Sequence, residues 1–203
     1  MNIEHIYNNI ATDFNRTRYK VWPCVANFLD KFKSNDKILD IGCGNGKNML
    51  YRTDLNVKGI DLSEEFIKIC KNKKLDVELS NMTQIKLSDL TFDGIMTIAS
   101  YHHLNNDIDR KKALDEMYRL LKHDGLCCIT VWAMEQDGSC KFIFTKSDEM
   151  VPWTEKYTGK IFYRYYHIYS KGELMKEITT LKPEFKIIDE IWEKGNWIIL
   201  LQK

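Results

Sequence analysis

What this chain has little of narrows its function before any motif is considered. No segment approaches the ~20 consecutive apolar residues of a membrane span, and Met1-Asn2-Ile3-Glu4-His5 begins no apolar stretch of the signal-peptide kind. The expectation is a cytoplasmic protein, extending to the nucleus. An excess of one charge is also missing: 30 basic and 29 acidic side chains leave a formal net charge of +1. No overall field attracts nucleic acid or membrane, so any RNA contact must come from a local patch. Arg16, Arg18 and Lys20, then Arg110, Lys111 and Lys112, then Lys160 and Arg164 are the candidates. The six cysteines (24, 43, 70, 127, 128 and 140) contain no C-x-x-C spacing, and the five histidines no His-x-x-x-His. Both absences give no metal site, metal-independent chemistry and a reducing compartment. Internal repeats and low-complexity segments are absent, and the length suits one domain by the prior of roughly 150 residues each.

What is present is a glycine loop between two strand ends. Ile38-Leu39-Asp40-Ile41 runs into Gly42-Cys43-Gly44-Asn45-Gly46-Lys47, and a second apolar run, Val57 to Ile60, ends in Asp61. Glycines 42, 44 and 46 let the backbone take unusual dihedral angles and let a ligand lie against the main chain. A helix is expected to follow, pointing unpaired N–H groups at that ligand. Asp61 is placed to accept both hydroxyls of a ribose. A dinucleotide fingerprint would need glycine at Lys47, and a P-loop would need Ser or Thr at Asn48. The D-x-G-x-G-x-G form with a following acidic residue resembles the S-adenosylmethionine site of class I methyltransferases. Asn81 then stands where such sites place an aspartate against the adenine amino group, with Met82 beside the ring and Ala99 at the next strand end.

The remaining pattern alternates strands and helices as a helix-covered parallel sheet requires. Trp22, Val25, Phe28, Leu29 and Phe32 recur at helical spacing from Pro23. Lys37 to Ile41 reads as the first strand, and Ser63 caps a helix opening on Glu64 and Glu65. Further strands are expected at Val77 to Leu79, Phe92 to Ser100 and Leu126 to Ala133. A helix is expected over Asp107 to Lys122, with Gly125 just past its end. Phe185 to Ile191 and Trp197 to Leu201 form a hairpin around Glu193-Lys194-Gly195-Asn196. Residues 136 to 172 break the plan and are rich in aromatic rings, which marks them as a substrate-side insertion or a satellite core. At the edge where a methyl group would face substrate lie His102 and His103. One is expected to anchor the strand end while the other meets substrate.

Longer elements narrow the resemblance. Ile6 to Ala11, Thr17-Arg18-Tyr19-Lys20-Val21-Trp22-Pro23, His102-His103, Val131-Trp132-Ala133 with Glu135-Gln136, and Val151-Pro152-Trp153 all match one family. So do Arg164-Tyr165-Tyr166-His167, Gly172-Glu173-Leu174 and Asn196-Trp197. Together they resemble the eukaryotic tRNA wobble-uridine carboxymethyl methyltransferases, from near residue 5 to near residue 200. The resemblance implies an α/β, Rossmann-like class I fold: a seven-stranded, mostly parallel sheet with helices on both faces and a carboxyl-terminal hairpin. It implies one methyltransferase domain over 1–203, with a helical cap at about 1–34 and the insertion at about 136–172. It further implies S-adenosylmethionine as cofactor, tRNA as substrate and methyl esterification of 5-carboxymethyluridine. Without a dioxygenase or RNA-recognition domain, the chain is similar to the stand-alone form, which pairs as a heterodimer with a small zinc-binding activator subunit. The polar insertion common after Glu-Gln in the family is short here.

A carboxylate has a pKa near ~4 and is already a nucleophile at neutral pH, so the enzyme must supply positioning and a cation or hydrogen-bond donor rather than a strong base. Arg164, Arg18 and His103 are the candidate clamp. Tyr19, Tyr165 and Trp197 are candidate stackers for the wobble base, with Arg16, His102, His167 and Asn196 beside them on the substrate side. For His167 an internal hydrogen-bond role is equally open. Two other functions fit the same chain: a methyltransferase of a small carboxylate or phenol, and a non-catalytic partner that binds cofactor or RNA.

Overall fold

In the computed structural model, which describes residues 3–138, 142–182 and 184–203, Cys140 lies outside the described residues. The chain begins with α1 (Ile3–Thr17) and α2 (Pro23–Leu29), then β1 (Lys37–Ile41), β2 (Asn56–Asp61), α3 (Glu64–Asn72) and β3 (Asp76–Leu79). There follow β4 (Phe92–Ile98), α4 (Asp107–Leu120), β5 (Leu121–Trp132), β6 (Asp148–Thr154) and β7 (Ile161–His167). The chain ends with α5 (Glu173–Leu181), β8 (Lys186–Glu193) and β9 (Asn196–Gln202). Seven strands form one sheet in the order β3-β2-β1-β4-β5-β9-β8, while β6 and β7 pair separately. The pairings among β1 to β5 are parallel, and β9 runs antiparallel to both β5 and β8. The class I expectation is met in strand number, helix coverage and hairpin.

Strand alternation divides the core between the two faces. Leu39, Ile95, Cys127, Ile129 and Ile199 pack with Ala113, Leu114 and Met117 of α4 and with Leu174 and Ile178 of α5. Their neighbours Ile38, Met96, Cys128 and Ile198 pack on the other face with Val25, Phe28 and Leu29 of α2. The adjacent Cys127 and Cys128 therefore belong to opposite cores.

Three local expectations are corrected. After the glycine loop the chain makes only a 3-10 turn, Asn48–Leu50, so no long helix aims its N-terminus at the loop. Gly125 does not cap α4: Leu121 is already extended, and Asp124 takes φ +63° where the β4–β5 register shifts. A Cβ on Gly125 would lie 2.9 Å from the Lys122 carbonyl oxygen, which is why glycine stands there. Residues 136 to 172, whose alternating plan was lost in the sequence, carry β6 and β7, and the sequence pattern did not reveal α5 at all. The closing hairpin turns on Lys194 (φ +47°) and Gly195 (φ +74°) between the paired Glu193 and Asn196. Two consecutive positive φ values match the twist of the flanking strands.

Candidate active site

β1 ends at Ile41, and Gly42, Gly44 and Gly46 take φ of +73°, +53° and +75°. The N–H groups of Gly42 and Cys43 donate to the Ile60 carbonyl at 2.8 and 3.0 Å, folding the loop over the end of β2. A Cβ on Gly42 would sit 2.5 Å from Ser100 Oγ, and one on Gly46 2.4 Å from Leu75 Cδ1. Both glycines are demanded by dihedral and by space. Ala99, just past β4, also takes φ +53°, a strained value for a residue with a side chain, and is held by its N–H to Thr130 Oγ1 at 2.9 Å.

Two acids lie under the loop. Asp61 accepts from Gly44 N at 2.8 Å through one oxygen and from Ser63 N at 2.9 Å through the other. Each oxygen keeps a lone pair, the arrangement a ribose diol needs. Burial pushes this carboxyl up to about 6. Asp40 is fully buried, neither of its oxygens has a hydrogen-bond partner, and burial, then the Asp61 charge, push it up to about 7. The Lys47 charge offsets this only in part, and a buried carboxylate so raised is stabilised by a further positive charge nearby. These residues fit a nucleoside that carries a cationic arm.

The loop opens into a cavity of about 910 Å³. Gly42, Gly44, Asp61, Asn81, Met82 and Ala99 line it from the sheet side, whereas Asp40 and Gly46 support the loop from outside the lining. α1 and the β6–β7 pair supply Tyr7, Phe14, Trp153, Arg164, Tyr165 and Tyr166, with Arg18 just past α1. Asn81 departs from expectation. Its side-chain oxygen accepts from both N and Oγ1 of Thr83 at 2.9 Å, so its acceptor capacity is spent within its own turn and only the NH₂ is left for a base.

Arg164 is 5% exposed, stacks against the rings of Trp153 and Tyr166 at 5.1 Å each, and forms no ion pair with any acid among the described residues. Arg18 lies 5.5 Å from the same Trp153 ring and 5.7 Å from Phe14. Two guanidinium groups thus share one indole on the cavity wall. His103 differs from its expected role as a cation or donor for the carboxylate. Its Nδ1–H donates to the Tyr165 carbonyl at 2.7 Å, which leaves Nε2 to accept from the Tyr7 hydroxyl at 2.7 Å. Burial lowers its pKa to about 4, so the ring is neutral with both nitrogens engaged.

Other expected substrate residues are spent elsewhere. His102 lies outside the cavity lining, packed 4.6 Å from Tyr166 and accepting from Trp132 N–H at 3.2 Å. Tyr165 reaches the cavity, but its hydroxyl donates to Asp148. His167 bridges Asp148 and Glu173 at 2.9 and 2.8 Å, the internal role left open for it. Trp197, 6% exposed, donates from Nε1 to Glu135 Oε2 at 3.0 Å, and Asn196 donates within its own turn. Both close the hairpin against the start of the insertion instead of facing the cavity. Arg16 stacks on Tyr157 at 4.8 Å and Tyr19 is 71% exposed; neither lines the cavity. The residues missed in the sequence are Tyr7, Phe14, Trp153 and Tyr166. Ile3, Tyr7 and Phe14 fall on one helical stripe that faces the cavity, a spacing that marks the inner face of α1.

A model described as a methyltransferase domain matches residues 39–129. The tRNA (carboxymethyluridine(34)-5-O)-methyltransferase alkbh8 of Xenopus tropicalis is 26% identical over 99% of this chain, which spans 40% of that relative. The tRNA (carboxymethyluridine(34)-5-O)-methyltransferase of Schizosaccharomyces pombe is 30% identical over 99% of this chain and 96% of its own length. Among solved structures, a SAM-dependent methyltransferase of Methanosarcina mazei superposes with a TM-score of 0.69 at 21% identity, covering 91% of this chain and 98% of that one. A methyltransferase of Haloferax volcanii, solved in complex with the Trm112 methyltransferase activator, gives 0.73 at 14% identity, covering 99% and 97%. The chain therefore belongs to the family of the tRNA (carboxymethyluridine(34)-5-O)-methyltransferases, and it spans less than half the length of some of the curated relatives it matches.

Proposed function

We propose that this chain transfers a methyl group from S-adenosylmethionine to the carboxylate of 5-carboxymethyluridine at the wobble position of tRNA, giving the methyl ester. The observation that carries the reading is Arg164, a buried guanidinium on the cavity wall with aromatic faces on two sides and no ion pair among the described residues. A group so placed is stabilised by an incoming anion, and its planar fork matches a carboxylate. The cofactor supplies an electrophilic methyl on a sulfonium. An ionised carboxylate needs no proton removed, which agrees with a site whose histidine is neutral and already bonded at both nitrogens. Arg164 and Arg18 hold the carboxylate, His103 fixes the Tyr7 hydroxyl and the β7 backbone around it, and Trp153 offers a face to the uracil.

The names of the relatives support tRNA as the acceptor. A small zinc-binding activator is part of the same proposal. β3 is a free sheet edge with Leu79 exposed, able to receive a strand from a partner. The test is transfer of labelled methyl from S-adenosylmethionine to tRNA bearing 5-carboxymethyluridine, with and without the activator. Alkali-labile label in tRNA supports the ester. Equal transfer to the free nucleoside would replace the proposal with a small-carboxylate methyltransferase, and no transfer despite bound cofactor would refute esterification.

A further inference from the structure

Two side chains of the glycine loop, Asn45 and Lys47, border the cavity and aim their polar ends at the segment that carries Arg18. Asn45 is 4% exposed, and its NH₂ donates to the Arg18 carbonyl at 2.7 Å and to Asn15 Oδ1 at 3.0 Å. Lys47 donates from Nζ to the Lys20 carbonyl at 3.1 Å and lies 5.0 Å from the Trp22 ring. Lys73, just past α3, completes the tie by donating to the Asn45 carbonyl at 2.7 Å and to Asn15 Oδ1 at 3.1 Å. Lys47 is also the position where the loop departs from a dinucleotide fingerprint, and Asn48 beside it is where it departs from a P-loop. By contrast, among the described residues the Arg18 side chain has a 3.4 Å contact with the neighbouring Thr17 carbonyl and its two aromatic faces, and no ion pair.

We propose that Asn45 and Lys47 are positioning residues that join the cofactor loop to the 15–22 arm, so that cofactor binding sets Arg18 against Trp153 for the incoming anion. The loop backbone approaches the cofactor while its side chains grip the arm, so ordering one orders the other. This rests on the proposed role of Arg18 for its consequence in catalysis, but the coupling itself involves no RNA. In thermodynamic terms the coupling is reciprocal: whatever the cofactor adds to arm order, an ordered arm adds to cofactor retention.

The experiment is amide hydrogen exchange over residues 15–22 in the full chain, with and without S-adenosylhomocysteine, for wild type, Asn45→Ala, Lys47→Met and Lys47→Arg. Calorimetric titration measures the affinity for S-adenosylhomocysteine in parallel. Wild type is expected to exchange about fivefold or more slowly in the arm when the ligand is bound. Asn45→Ala and Lys47→Met are expected to lose that difference and, by reciprocity, to weaken ligand affinity by about the same factor without abolishing binding, and Lys47→Arg, which keeps a donor for the Lys20 carbonyl, is expected to retain both. A general loss of structure would raise exchange across the sheet as well, which separates it from uncoupling. No protection in wild type, or protection that survives in both Asn45→Ala and Lys47→Met, overturns the proposal. Survival in one variant overturns the role of the residue it replaces, and loss of ligand binding in a variant reassigns that residue to the cofactor. Because no acceptor is present, a failure of methyl transfer to tRNA would leave this result standing.

Discussion

A guanidinium buried without an acid stores an unfavourable solvation energy that an anion can relieve, and at residue scale Arg164 is where that relief becomes binding. Arg164→Ala is expected to lower turnover on tRNA by roughly 100-fold while affinity for S-adenosylhomocysteine changes less than about twofold. Radiolabel transfer and calorimetry measure the two; a parallel loss of cofactor affinity would show that Arg164 belongs to the wrong half of the cavity. Asp61→Ala removes the acceptor for the ribose and the Gly44 N–H anchor, and should weaken S-adenosylhomocysteine binding by at least roughly tenfold. The two buried acids also predict a pH dependence. Their values in the folded protein, about 7 for Asp40 and about 6 for Asp61, are raised above the ~4 of an unfolded chain. Their contribution to the stability of the ligand-free protein is therefore full below about pH 4 and is lost as pH rises through the folded values. Asp40→Asn should flatten the calorimetric Tm profile between about pH 5 and 7.5 and raise Tm at its upper end. A profile that tracks wild type would contradict an ionisable Asp40. In wild type, cofactor affinity should rise over the same interval as the acids ionise beneath a cationic ligand.

At the scale of elements, α3 shows local sequence and tertiary structure agreeing. Ser63 Oγ accepts from Phe66 N at 3.3 Å as the cap, and the same hydroxyl donates to Asn8 Oδ1 at 2.7 Å, tying α1 to α3. Ser63→Ala loses both, and urea unfolding should register about 1–2 kcal/mol, whereas Asn8→Ala keeps the cap and should cost less. This helix was legible because capping and the first-turn acids, Glu64 and Glu65, are local signals. The segment after the glycine loop was not. A loop of this type ordinarily leads into a helix, but here the 3-10 turn at Asn48–Leu50 ends at Tyr51, whose hydroxyl bonds Asp30 past the end of α2. α5 was missed because its buried stripe is only Leu174 and Ile178, too few positions to stand out from a segment already crowded with aromatic residues.

For the whole molecule, a net charge of +1 coexists with a cavity wall carrying two arginines that form no ion pair among the described residues, so charge is arranged by place and not by excess. The sheet has two free edges, β3 and β8, and β3 lies beside the cofactor half of the site. If the activator adds a strand at β3, Leu79→Asp should abolish co-purification of a co-expressed activator subunit while the isolated chain binds S-adenosylhomocysteine as before. Co-purification unchanged by this substitution would move the partner to another surface.

The sequence by itself determined the cofactor half of this protein. Glycines at 42, 44 and 46 are the residues that tolerate positive φ without cost, and the carboxylates at 40 and 61 stand at or beside the ends of their strands at fixed spacing from them. Only the tertiary structure decided the substrate half. Whether a cation is free or neutralised depends on what packs against it: Arg110 meets Glu177 across 67 residues, while Arg164 meets two rings and no acid. Whether an aromatic side chain faces a ligand or the core is settled in the same way. Trp197 gives its N–H to Glu135, 62 residues away, and Trp153, bonded to Asp13 of α1, takes the place on the cavity wall expected for the candidate stacker Trp197.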